Sequence, residues 1–183
     1  MRKITVFATT GLVIFSVGLA WAQKASVKPR QPTPVISLQQ LGPQGPIIPF
    51  AVSNYTVTPG SVTFTSSNPA GSVTGSSTAT VQFRTTGNPA AFRLWARASS
   101  ANFTGCNSPP VNTVTVACET ASTGVSCDAA GALTTGGNGT LVAHGSGNHN
   151  PNTVTVQYTF QDGWNFRVGT GCSLSVSYIY TAP

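Results

Sequence analysis

Side chains able to move protons or hold ions are scarce in this 183-residue chain. His144 and His149 stand five apart across Gly145-Ser146-Gly147-Asn148, and a metal would need a third ligand such as Asp162. A glycine-rich loop pre-organises such ligands poorly. Glu119, Asp128 and Asp162 are the only carboxylates, where ordinary glycoside hydrolysis requires two flanking a sugar. Glu119 and Asp128 sit beside Cys118 and Cys127 in polar stretches and read as solvated loop charges. No G-x-S-x-G nucleophile elbow and no H-E-x-x-H zinc helix occurs. No catalytic residue, metal site or cofactor is therefore assigned, and the chain reads as non-enzymatic, with a small secreted hydrolase of unrecognised site as an alternative.

Aromatic and cationic residues offer binding chemistry instead. Asp162-Gly163-Trp164-Asn165-Phe166-Arg167 is the densest such cluster, and Trp95 lies between Arg93 and Arg97. An exposed indole stacks on sugar rings and a guanidinium pairs with anions. Trp95, Trp164 and Arg167 are accordingly a possible ligand platform, with a glycan or small ligand as the partner. The competing reading is structural: Asp162-Gly163 makes a turn, and both indoles pack over a sheet.

Cys106, Cys118, Cys127 and Cys172 form an even set separated by 12, 9 and 45 positions, unlike the close pairs of a zinc site. Two disulfides follow if the chain is exported. If residues 92–98 and 112–118 form a hairpin, Cys106 lies in its loop and Cys118 at its far end, roughly 20 Å away. That is too far for a bridge. Closing the polar loop with Cys118 to Cys127 leaves Cys106 to Cys172. Cys106 to Cys127 with Cys118 to Cys172 stays open.

Export is indicated by the N-terminus. Arg2 and Lys3 precede the apolar run ITVFATTGLVIFSVGL (residues 4–19), and Ala20-Trp21-Ala22 offers small residues for cleavage before Gln23. The run is diluted by Thr5, Thr9, Thr10, Gly11, Ser16 and Gly18, so it reads as a cleaved signal peptide (1–22) rather than a membrane span. The chain is then secreted, or held in the periplasm or at the cell surface, with no stable span after cleavage. Residues 23–183 carry seven basic side chains (Lys24, Lys28, Arg30, Arg84, Arg93, Arg97, Arg167) against the three carboxylates. Cations this scattered do not make a nucleic-acid surface. The rest is a neutral, hydroxyl-rich chain typical of extracellular β-proteins.

Residues 23–50 contain Pro29, Pro32, Pro34, Pro43, Pro46 and Pro49, which block a long helix and predict an extended arm. Within it Val35, Ile36, Leu38 and Leu41 mark an apolar island able to form one strand. It could act as a donor strand, docking on the edge of its own domain or of a neighbour's. From residue 51 the chain alternates with period two: SVTFT (61–65), TATVQFRT (78–85), FRLWARA (92–98), NTVTVAC (112–118), TLVA (140–143), TVTVQYTFQ (153–161) and CSLSVSYIY (172–180). Turn signals such as Pro59-Gly60, Gly87-Asn88-Pro89 and Gly136-Gly137-Asn138-Gly139 separate them. Residues 119–126 and 145–152 read as polar loops. The prediction is an all-β protein, an antiparallel immunoglobulin-like β-sandwich of roughly eight or nine strands over 51–183, preceded by the arm, with a closed barrel as the runner-up. Asn54, Asn102 and Asn138 begin N-x-Thr sequons.

Signal peptide, proline-rich arm and a Thr/Val/Gly-rich, disulfide-bonded sandwich ending in an alternating aromatic strand resemble secreted bacterial fimbrial or surface-matrix subunits. The resemblance is one of layout, with Tyr178 and Tyr180 as a loose counterpart of the near-terminal aromatic of pilins. It implies a structural or adhesive role at the cell surface, with the chain itself or other surface subunits as partners and the arm as the joining element.

Overall fold

The computed structural model describes residues 34–40, 52–64, 71–106, 109–161 and 172–182. The signal peptide expected at 1–22, Leu41, and the cluster holding Trp164 and Arg167 lie outside them. In chain order the strands are β1 (Pro34–Gln40), β2 (Val52–Thr58), β3 (Ser61–Thr63), β4 (Ser72–Thr74), β5 (Ala79–Thr85) and β6 (Phe92–Ala98). After a 3₁₀ turn (Val111–Thr113) come β7 (Val114–Ala121), β8 (Val125–Cys127), β9 (Gly131–Ala132), β10 (Thr140–Gly145), β11 (Asn152–Gln161) and β12 (Cys172–Thr181).

They form two sheets, ordered β3-β1-β12-β6-β10-β8 and β2-β5-β11-β7-β9, with β4 also paired to β11. Among the strand pairs of the described residues only β1 and β12 run parallel. The all-β class is as the alternation predicted. Among the described residues the count from residue 51 onward is eleven rather than eight or nine, because β4, β8 and β9 are only two or three residues long and β2 hides its period, and β1 of the arm adds a twelfth. In β2 the register against β5 slips between Ser53 and Thr56, so the inward spacing from Val52 to Tyr55 is three rather than two. A like slip in β7 places Cys118 opposite Val156 and Thr120 opposite Thr155, with Glu119 as the extra residue. The stretch from Glu119, expected to be loop, therefore continues as strand to Ala121.

Alternation explains the core. Ala79, Val81 and Phe83 of β5, Phe92, Leu94 and Ala96 of β6, and Val154, Val156, Tyr158 and Phe160 of β11 are buried between the sheets, and the residues that alternate with them face out. β12 differs: Leu174, Val176, Tyr178 and Tyr180 point inward, yet Ser177 and Ile179 are buried on the opposite face as well. Phe83 stands edge-on to Phe92 and Tyr180, with centroids 5.7 and 5.8 Å away, and fixes one end of the core.

One conditional expectation is corrected here and one open alternative takes definite form. β6 and β7 belong to different sheets, so residues 92–98 and 112–118 do not form a hairpin. The connection between them crosses from one sheet to the other and buries Phe103 and Val111 on its way. The apolar island of the arm docks on its own chain, one of the two placements open to it. β1 pairs in parallel with β12 over its whole length and antiparallel with β3, which makes it an interior strand of its own chain's sheet. Ile36 and Leu38 belong to the main core. A strand with apolar residues at every second position requires partners for both its backbone edges and its apolar face, and β3 and β12 together supply them.

Both bridges are inter-element clamps. Cys106–Cys172 ties the sheet-crossing connection to the start of β12, where Thr104 and Ser173 also exchange backbone hydrogen bonds of 2.9 Å. Cys118–Cys127 joins β7 of one sheet to β8 of the other. All four cysteines are thus oxidised, the chemistry of an oxidising compartment outside the cytosol. Among the described residues no helix is long and apolar enough to cross a membrane.

The tyrosines make stability depend on alkali. The Tyr158 and Tyr178 hydroxyls share a buried 2.7 Å hydrogen bond, and those of Tyr55 and Tyr180 are buried without one. Burial pushes the phenols of Tyr158, Tyr178 and Tyr55 well above their ordinary value and that of Tyr180 up to about 12. In the unfolded chain tyrosine ionises near pH 10. The raised folded values therefore stabilise the fold in full below about pH 10, and that contribution is lost as pH rises through the folded values. Melting temperatures should be flat from neutrality to about pH 9 and fall steeply above pH 10. A melting temperature unchanged between about pH 9 and pH 12 would show that the phenols are not sealed from water.

Candidate binding face

β6 presents Arg93, Trp95 and Arg97 on the outer face of its sheet, because Phe92, Leu94, Ala96 and Ala98 are committed to the core. The flanking strands complete this face. Across β12, Thr181 lies opposite Arg93 and Ile179 opposite Trp95. Across β10, His144 lies opposite Arg93 and Leu141 opposite Trp95. His144 reaches the outer face through a bulge: the register slips between Leu141 and Ala143, so Val142 and Ala143 are both buried and the parity of the strand changes.

Three of these side chains are held in place. The Trp95 indole Nε1 donates to Thr181 Oγ1 at 3.0 Å, which lays the half-buried ring across the β6–β12 seam. The Arg97 guanidinium donates to the Gly137 carbonyl at 3.3 Å. That carbonyl is brought close by the turn from Gly136 to Gly139, closed by a 2.9 Å backbone bond. Gly139 has φ +102°, and a Cβ there would overlap the Ala96 carbonyl, so only glycine lets the turn lie flat on β6. His144 Nδ1 meets Asp128 Oδ2 at 2.9 Å, with Asp128 fixed by its own N–H to the Val142 carbonyl. Arg93 is exposed.

The sequence-predicted candidates distribute as follows. Trp95 sits between the guanidinium-bearing residues Arg93 and Arg97, with His144 beside Arg93. His144 and His149 do different things: the first pairs with Asp128, and the ring of the second rests against Gly124, where a Cβ would strike it. Among the described residues no three His, Cys, Asp or Glu side chains gather as a metal site. Val35, Ile36 and Leu38 lie in β1, within its own sheet. Sequence reading placed Arg93, Trp95 and Arg97 on one face but missed His144 and its pairing with Asp128. The bulge that turns His144 outward leaves no mark in residue type.

No protein-family model matches the chain, and no curated protein matches it either.

Proposed function

We propose that this chain is an exported, non-enzymatic structural or adhesive protein of the cell surface or extracellular space, built as an immunoglobulin-like sandwich and able to assemble by exchanging its N-terminal strand. The observation that carries the reading is the seat of β1 between β3 and β12. The slot accepts a strand that the chain supplies from a proline-rich segment, and every copy has the same slot and the same strand. A neighbour's β1 satisfies the identical register, so exchange costs no contacts and converts closed monomers into linked copies. The leader-like N-terminus and the bridged cysteines support export, and the layout shared with fimbrial subunits supports the structural role.

Light scattering and electron microscopy of the chain from residue 23, refolded over a concentration series, test this. Mass should rise with protein concentration during refolding, with linked particles in the images. Monomers at every concentration would remove assembly and leave adhesion by the single domain as the surviving role.

A further inference from the structure

We infer that the open part of this outer face, around Arg93, Trp95 and His144 on β6 and β10, is a binding site for a carboxylate-bearing polysaccharide, with Trp95 as the sugar platform and Arg93 as the anion contact. The inference rests on the adhesive part of the proposed function and names its ligand class.

Three observations converge on this face. First, Trp95 is a pre-set platform. Its N–H is already bonded to Thr181, so the ring is fixed before any ligand arrives and stacking a pyranose costs little rotamer freedom. Second, the face offers an exposed guanidinium. Among the described residues the carboxylate that approaches this face, Asp128, is engaged by His144, and the exposed guanidinium of Arg93, between His144 and Thr181, has no hydrogen bond or ion pair. A guanidinium fork matches a carboxylate through two parallel N–H donors. Third, Arg93 and Trp95 are two residues apart on one strand, hence side by side on one face at about 7 Å. That separation suits a sugar ring on the indole whose carboxylate, or that of the adjoining residue, reaches the guanidinium. A neutral glycan would leave Arg93 unused, and a flat apolar partner would have to bury it.

Isothermal titration of the chain from residue 23 with tetragalacturonic acid, and with maltotetraose as the neutral counterpart, tests the assignment. The acidic tetramer should bind with an affinity that falls as salt is raised, and maltotetraose at least tenfold more weakly. Arg93→Ala and Trp95→Ala should each weaken binding at least tenfold. Arg93 is exposed, so its variant keeps the test valid should Trp95→Ala fold poorly; Arg93→Lys, retaining charge without the fork, should restore only part of the affinity. Equal binding of both tetramers, no binding of the acidic one, or an Arg93→Ala variant that binds like the parent overturns the inference. Assembly on refolding, or adhesion through a neutral glycan, would persist in those cases and keep the proposed function standing.

Discussion

Replacing Ile36 with aspartate should unfold the domain, although residue 36 lies in a segment that reads as a linker. Ile36 is fully buried, packs in the main core, and sits in the register of both β12 (opposite Leu174) and β3 (opposite Val62). The substitution removes a buried side chain worth about 2–5 kcal/mol on truncation alone. It also places a carboxylate where no described cation approaches, so the total loss is about 5 kcal/mol or more, comparable to the whole stability of many domains. Ser37→Asp is the control, because residue 37 faces away from the core and pairs outward with Ser175. Circular dichroism melts decide between them. A cooperative melt for Ile36→Asp within a few degrees of the parent would return β1 to the status of a free arm and residue 51 to that of the domain's beginning.

Loss of the Cys106–Cys172 bridge should cost more than loss of Cys118–Cys127. The first closes 66 residues of chain and the second 9. Loop-closure entropy then assigns about 4 kcal/mol to the long bridge and about 3 kcal/mol to the short one. For a domain of this length each kcal/mol moves the melting temperature by about 2–4 °C. The Cys106→Ala/Cys172→Ala pair should therefore melt roughly 8–16 °C below the parent and Cys118→Ala/Cys127→Ala somewhat less. A further term favours the same order. The long bridge holds the connection that buries Phe103, whereas the short one clamps exposed strand ends. Thermal melts of both variants, with the remaining bridge verified by mass, give the ranking. The reverse order would mean that the junction of β7 and β8 governs the docking of the two sheets.

The sequence made the strands legible wherever one face is wet and one dry. β5, β6, β11 and β12 were readable almost to their ends because Val, Phe, Leu and Tyr alternate with Thr, Ser, Gln and Arg. Where a bulge adds a residue the period breaks. β2 escaped notice between Val52 and Tyr55, β7 was ended early at Cys118, and His144 was left off the outer face. Sheet membership was beyond period-two reasoning altogether. Whether consecutive strands pair or cross to the other sheet depends on how their faces meet, so the sequence does not tell the crossing from β6 to β7 apart from a hairpin. The sheet-crossing loop carried one usable signal, since Phe103 is a large apolar residue in an otherwise polar stretch and proved to be core. Of the binding face, β6 supplied what could be read, because Arg93, Trp95 and Arg97 share parity. The contribution of β10 required the fold.

The central claim is that β1 is an exchangeable strand seated beside β12, and a pair of engineered cysteines tests it most directly. Ser37 and Ser175 are register partners on these two strands, and neighbouring strands at about 4.8 Å bring such positions within disulfide range. The Ser37→Cys/Ser175→Cys chain from residue 23 should cross-link within single chains when folded at high dilution. Refolded at high concentration it should cross-link between chains, giving dimers and longer ladders on a non-reducing denaturing gel that collapse on reduction. Cross-links confined to single chains in material that light scattering shows to be assembled would contradict exchange, and no cross-link at any concentration would contradict the seat of β1 itself.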